Sequence, residues 1–175
     1  MSPQIRQQLI QSWTRLFGYA CSLTGDRDRA AEILQQAALR VLEAKQLPKH
    51  DGAVRAWLFR IVRNVWIDQY RHNVVREKVE VDSLVLDENG IQIWTYSDRL
   101  IAEMTVRKGL GRIEAAHREI IELVDLHGFR YAEAAQILGV PEGTVMSRLS
   151  RARLALLEAI GDNVIALESA KRRLS

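Results

Sequence analysis

Apolar residues recur every three to four positions through most of the chain, and the breaks between these runs fall on glycine, proline and acid-rich stretches. From Ile5 the first run passes through Leu9, Trp13, Leu16, Phe17 and Ala20 and stops at Thr24-Gly25, which predicts a helix ended by a turn former. Asp26 or Asp28 is placed to cap a second helix, with the stripe Ala30, Ile33, Leu34, Ala37, Val41 and Leu42. Leu47-Pro48-Lys49-His50-Asp51-Gly52 then interrupts the pattern. A third helix is predicted from near Ala53 to about Asn73, its buried stripe being Val54, Trp57, Leu58, Ile61, Val62 and Val65. Three such stripes can close over one small core.

Between Val79 and Asp98 the pattern lapses, and EVDSLVLDENGIQIWTYSD carries acids and apolar residues without lysine or arginine. Glu88-Asn89-Gly90 is a turn signal able to join two short strands, and the whole segment reads as a linker between two domains or as a solvated acidic loop. Helical signals resume with Ser97 or Asp98 as cap and continue through Leu100, Ile101, Met104 and Leu110. A helix from Glu114 to Leu126 should end at His127-Gly128, followed by a short one from Tyr131 to Leu138 and a last one from about Glu142 to Ile160. The expected class is all-α: two small helical domains, 1–78 and 99–161, an acidic linker 79–98, and an unassigned tail 162–175 whose Lys171, Arg172 and Arg173 are basic.

Composition narrows the function. With 47% hydrophobic and 27% charged residues in 175, the chain is globular rather than disordered. Its net charge of +3 is modest, but arginine far outnumbers lysine. A guanidinium fork suits phosphate and base edges, so this bias points to a polyanionic partner, unless it reflects only a GC-rich genome. The single cysteine, Cys21, forms neither an internal disulfide nor a multi-thiolate site and reads as a small buried filler. No signal-peptide pattern and no run of about 18 apolar residues is present, so the expectation is a cytoplasmic protein without membrane insertion.

The stretch GVPEGTVMSRLSRAR, residues 139 to 153, raises the candidate chemistry. Two helices joined by a short glycine-containing turn are the sign of a helix-turn-helix. Ala135, Ile137, Leu138 and Val140 would pack its corner, and Val145, Leu149, Ala152 and Leu156 would face the core. The opposite side carries Met146, Ser147, Ser150, Arg151 and Leu154, flanked by Thr144, Arg148 and Arg153. Such hydroxyls and guanidinium groups can reach base edges in a major groove and neutralise phosphates, although a helix with three arginines also describes a plain solvated face. On the third helix, Phe59, Arg60, Arg63, Trp66, Ile67 and Tyr70 lie away from the buried stripe, and rings interleaved with arginines suit single-stranded nucleic acid. The alternative for Trp66 and Tyr70 is packing against the first two helices.

YAEAAQILGVPEGTVMSRLSRARLAL resembles the promoter-reading helix-turn-helix of extracytoplasmic-function sigma factors of bacterial RNA polymerase, where YxEIAxxLGVPxGTVKSRLxRAR recurs. AVRAWLFRIVRNVWIDQYRHN resembles the same family's domain 2 pattern WLxxIARNxxIDxxRR, and FGYACSLTGDRDRAAEILQQAALRV its pattern LxxLAxRLTGDxxxAEDLVQETFLRxW. The resemblance implies a factor that binds core RNA polymerase at the beta-prime clamp and beta flap. Thr144, Met146, Ser147, Arg148, Ser150, Arg151 and Arg153 would read the upstream (−35) element as duplex. Lys49, His50, Arg55, Arg60, Arg63, Asn64, Trp66 and Arg71 would hold the melted downstream (−10) strand, the loop 47–55 building a pocket for an extruded base.

Docking on the polymerase would fall to Glu32, Ile33, Gln36, Ala37 and Arg40. Here Ile33 is expected to stand where aspartate is usual and Ala37 where glutamate is usual, a loss of carboxylates that would weaken docking. Met146 stands where lysine or arginine is common, and Glu114 where proline often precedes the helix. The acidic linker would thread a basic path in the polymerase, and an anti-sigma factor is an expected partner. No cofactor or metal is implied. The histidines, His50, His72, His117 and His127, fall in no ligand or catalytic spacing, and no phosphate loop or nucleophile elbow occurs, so an enzyme is not expected. The alternative is a helix-turn-helix regulator that never joins polymerase.

Overall fold

The computed structural model describes residues 3–48, 50–76 and 98–173. These form seven α-helices and one π-helical turn, and no strand occurs among the described residues. An N-terminal lobe contains α1 (Pro3–Thr24), α2 (Arg27–Glu43) and α3 (Asp51–Arg76). A C-terminal lobe contains α4 (Asp98–Arg112), α5 (Ala115–Ile121), the π-helical turn Glu122–Leu126, α6 (Tyr131–Leu138) and α7 (Glu142–Arg173). The all-α class is thus the observed one. Residues 79–97 of the acidic linker, with its Glu88-Asn89-Gly90 turn and the candidate cap Ser97, lie outside the described residues, as does Lys49.

Local chemistry sets the boundaries. Gly25 takes φ +68 beyond α1, a conformation that costs glycine little, and its amide donates to the Cys21 carbonyl at 2.8 Å. Asp26 then caps α2, accepting from the Arg29 amide at 2.7 Å. Of the two expected caps, Asp26 is the one used. Helix α3 gathers Val54, Leu58, Val62 and Val65 into the core against Leu16, Ala20, Ala30, Ile33, Leu34, Ala37 and Val41. The sequence stripes were broader than the contacts: Trp13 and Leu42 are 41% and 53% exposed, and Trp57 and Ile61 are half-buried at the edge. Cys21 is likewise half-buried, and burial pushes its thiol up.

In the C-terminal lobe the expected single helix from Glu114 to Leu126 changes register at Glu122. The His127 amide reaches back five residues to the Glu122 carbonyl at 2.8 Å, the hydrogen bond of a π turn. Arg118, almost fully buried, donates to the carbonyls of Leu110 and Ile113 and so satisfies groups left open where α4 ends. Gly139 (φ +68) closes α6 with its amide on the Ala135 carbonyl, and the Pro141 carbonyl accepts from Thr144 and Val145 as α7 begins. Val145, Leu149 and Ala152 are buried as their spacing predicts. Helix α7 does not stop near Ile160 but runs to Arg173, because no proline follows Pro141 and Gly161 alone costs a helix only about 1 kcal/mol.

Gly109 is where α4 crosses α7. A Cβ there would lie 2.9 Å from Ile160 Cγ1 and 3.0 Å from Leu156 Cδ1. Gly109→Val should therefore separate the two helices and lower stability by about 1–3 kcal/mol, read as a shifted denaturant midpoint. An unchanged midpoint would mean that the crossing is looser than this geometry.

Candidate nucleic-acid interface

Burying Val145, Leu149 and Ala152 turns the other side of α7 outward. Met146 is 54% exposed, and Ser147, Ser150 and Arg151 are exposed beside it, while Thr144 and Arg148 are half-buried. Thr144, Ser147, Arg148 and Arg151 line an open hollow of about 270 Å³ against Glu114, Ala116 and His117 of the α5 start. Four of the seven side chains expected on this surface thus share one hollow, and Met146 and Ser150 are exposed on the same helix outside it. Arg153 is set apart, held by Asp125 in a bidentate pair at 2.6 and 3.1 Å.

The outward face of α3 is divided. Arg60, Asn64 and Arg71 are exposed, as is His50 just before the helix, and Trp66 is half-buried with its ring 6.0 Å from that of Tyr70. Phe59, placed by the sequence on the outward face, is 1% exposed because α3 packs on the C-terminal lobe. Its ring lies 5.1 Å from Tyr19, 4.9 Å from His127 and 4.8 Å from Phe129. Arg55 lays its guanidinium over Phe129, 4.2 Å from the centroid, and reaches the Gly128 carbonyl at 3.4 Å. Arg63 donates through Nε to Glu119 Oε1 at 2.8 Å, and the Tyr19 hydroxyl donates to the same oxygen at 2.8 Å. Ser22 donates to Glu122 alongside.

On α2 the structure corrects the expected docking surface. Ile33 and Ala37 are 1% and 3% exposed and pack inside the N-terminal lobe, so neither can meet a partner. Glu32, Gln36 and Arg40 point outward and line a hollow of about 380 Å³ with Asp68, Gln69 and His72, where Arg40 pairs with Asp68 at 2.8 Å. Aligned without a gap, LTGDRDRAAEILQQAALR sets the family pattern's acids against Ala31, Glu32 and Gln36, none of them buried. The positions where the pattern has aspartate and its second glutamate are therefore Glu32 and Gln36, each one residue before the buried Ile33 and Ala37, and helical periodicity explains why the core positions are apolar.

Comparison with known proteins decides the family. Sigma-70 region 2 matches residues 9–74 and Sigma-70 region 4 matches residues 101–156. The chain is 30% identical over 161 residues to the ECF RNA polymerase sigma factor EcfG of Rhodopseudomonas palustris, covering 89% of this chain and 84% of that protein. It is 34% identical over 148 residues to SigL of Mycobacterium tuberculosis, 81% and 80% of the two chains. The chain belongs to the ECF RNA polymerase sigma factors. Its fold resembles that of the sigma factor RpoE of Bartonella quintana, solved with the anti-sigma factor NepR, at a TM-score of 0.65 and 27% identity over 89% of this chain and 96% of that one. The sigma factor is accordingly a promoter-specific transcription initiation factor, and a regulator independent of polymerase is not favoured. No helix among its described residues is long and apolar enough to cross a membrane.

Sequence reasoning missed the lobe contact of this sigma factor: Tyr19, Ser22, Glu119, Glu122, His127 and Phe129. A signal was present, since Glu119 and Glu122 interrupt the apolar run EIIELV, three positions apart on one helical face. Burial pushes Glu122 up to about 7, and burial, with Arg15 and Arg55 nearby, pulls His127 down to about 4. Their linkage effects oppose each other. Glu122 binds a proton more readily when folded, so its contribution is full below its ordinary 4.5 and is lost as pH rises through 7. His127 binds one less readily, so its contribution is full above its ordinary 6.5 and is lost as pH falls towards 4. Thermal midpoints measured against pH should show it: relative to the parent, Glu122→Gln loses stability on acidification from 6.5 to 4.5, and His127→Phe gains it. Parallel profiles for all three proteins would refute the assignment.

Proposed function

We propose that this sigma factor joins core RNA polymerase through the exposed face of α2, with Glu32, Gln36 and Arg40 on the beta-prime clamp and the C-terminal lobe on the beta flap. It carries out this work in the cytoplasm, has no catalytic step of its own, and is held in check by an anti-sigma factor, as the solved RpoE relative is bound by NepR. Helix α7 reads the upstream (−35) element as duplex, with Ser147, Ser150 and Arg151 at base edges, Met146 against an apolar group such as a thymine methyl, and Thr144 and Arg148 towards phosphates. Helix α3, with His50 just before it, holds the melted downstream (−10) strand through His50, Arg60, Asn64, Trp66 and Arg71, joined by Arg55 and Arg63 when these are released.

The observation that carries this reading is the polar, outward edge of α7 within a segment that matches region 4, behind the Gly139–Pro141 turn. Transcription from a randomised promoter library with purified core polymerase tests it. Arg151→Ala should cost about 5- to 150-fold, the equivalent of about 1–3 kcal/mol, at a single upstream position. Arg60→Ala and Trp66→Ala should leave that preference intact and reduce strand opening, followed by permanganate reactivity. Loss of opening, rather than of upstream preference, in Arg151→Ala would reverse the roles assigned to the two lobes.

The corrected register of α2 supports a further test of docking. Gln36→Glu restores a carboxylate at an exposed position of the family pattern and should tighten holoenzyme formation by about two- to fivefold, the range of a surface ion pair. Weaker association would move the docking surface away from α2.

A further inference from the structure

The edge of α7 assigned to the upstream duplex is backed by a second helix. Thr144, Arg148 and Arg151, spaced at i, i+4 and i+7, share an open hollow of about 270 Å³ with Glu114 and His117 at the start of α5. We propose that this hollow seats one backbone phosphate of the duplex, gripped by Arg148 and Thr144 from α7 and by His117 from α5, while the Glu114 carboxylate weakens the grip. This inference rests on the assignment of α7 to the upstream element.

Charge and pairing support the seat. Arg148 and His117 are half-buried on its two walls, and neither side chain, nor that of the exposed Arg151, has an ion-pair or hydrogen-bond partner among the described residues. Arg153, further along the same helix, shows the contrast, since Asp125 holds it in a bidentate pair. A guanidinium drawn partly out of water without a counter-ion loses hydration that nothing in the fold replaces, and an arriving phosphate supplies the missing partner. Base edges are reached by the side chains that stand outermost on a recognition helix, whereas a hollow walled by a neighbouring helix lies where the rim of the groove, its sugar-phosphate strand, passes. Glu114 caps α5 through its backbone alone: its carbonyl accepts from the His117 and Arg118 amides, both at 2.9 Å, and its carboxylate makes no cap hydrogen bond. That hold places an exposed, unpaired carboxylate in the same hollow as His117. Repulsion from it lowers the phosphate-borne affinity common to every sequence, so the duplex is retained only where base contacts from Ser147, Ser150 and Arg151 add to it.

Holoenzyme reconstituted with purified core polymerase tests this on promoter duplexes carrying the upstream element selected from the randomised library, with binding followed by fluorescence anisotropy. His117→Ala should weaken binding about three- to tenfold, the range of one hydrogen bond at a wet interface, and by the same factor on every upstream sequence, unlike Arg151→Ala. His117→Gln, which keeps an N–H donor, should recover part of the loss. Glu114→Gln should tighten binding about two- to fivefold on selected and scrambled upstream elements alike, and more so at low salt. A series of duplexes in which one upstream phosphate at a time is replaced by a neutral methylphosphonate locates the seat: at one position the parent protein should lose affinity and His117→Ala should lose no more. Undiminished binding by His117→Ala, a change in its base preference, additive losses at every methylphosphonate position, or weaker binding by Glu114→Gln would each overturn the proposal. Misfolding cannot imitate the expected result, because the two variants move affinity in opposite directions. If Arg151→Ala leaves upstream preference untouched as well, the assignment of α7 has failed, and the seat falls with it.

Discussion

One carboxylate holds the two halves of the described structure in register. Glu119 Oε1 accepts from Tyr19 of α1 and from Arg63 of α3 while sitting on α5, so a single oxygen ties three helices from both lobes. A carboxylate removed from water without compensation costs several kcal/mol. Here a guanidinium and a phenol meet that cost, and burial together with the Glu119 charge raises the Tyr19 hydroxyl well above its ordinary range, so that it stays a donor. The rings of Tyr19, Phe59, His127 and Phe129 close around the pair and supply the apolar area that polar groups alone would not.

The π-helical turn explains how the C-terminal lobe presents these groups. An ordinary helix through Leu126 would rotate the residues beyond it by a fixed step per residue. The wider turn at Glu122–Leu126, closed by Gly128 at φ +67, instead brings His127 and Phe129 back against α3. The next segment then enters α6 through Arg130, whose amide donates to Glu133 at 2.8 Å. The lobe contact and the helix-turn-helix are thus set by consecutive stretches of one chain, and a change in one shifts the start of the other.

Arginine does different work according to its surroundings. Arg118 is buried and satisfies carbonyls at the end of α4. Arg153 is tied to Asp125, Arg40 to Asp68, Arg55 to a ring and Arg63 to Glu119. Arg151 and Arg60 remain outward on the two faces where nucleic acid is proposed to bind. A composition rich in arginine therefore does not by itself give a binding surface, since several of these cations are engaged within the fold.

The helices, their order and the polar edge of α7 were legible in the sequence because each depends on neighbours within a few residues. The 3.6-residue period places Val145, Leu149 and Ala152 inward, Gly25 and Gly139 mark helix ends, and the motifs that resemble sigma factors are contiguous. Burial of Ile33 and Ala37 was legible as well, from the apolar stripe of α2, and a misaligned acid pattern obscured it. Only the tertiary structure decided that Phe59 is buried, that Arg55 and Arg63 face a partner in the same chain, and that Glu119 joins the lobes. Those contacts link residues up to 100 positions apart across a linker with no helical period. Local pattern fixes which side of a helix is apolar, but which second body covers the remaining side depends on groups far apart in the sequence, and no short-range signal encodes that.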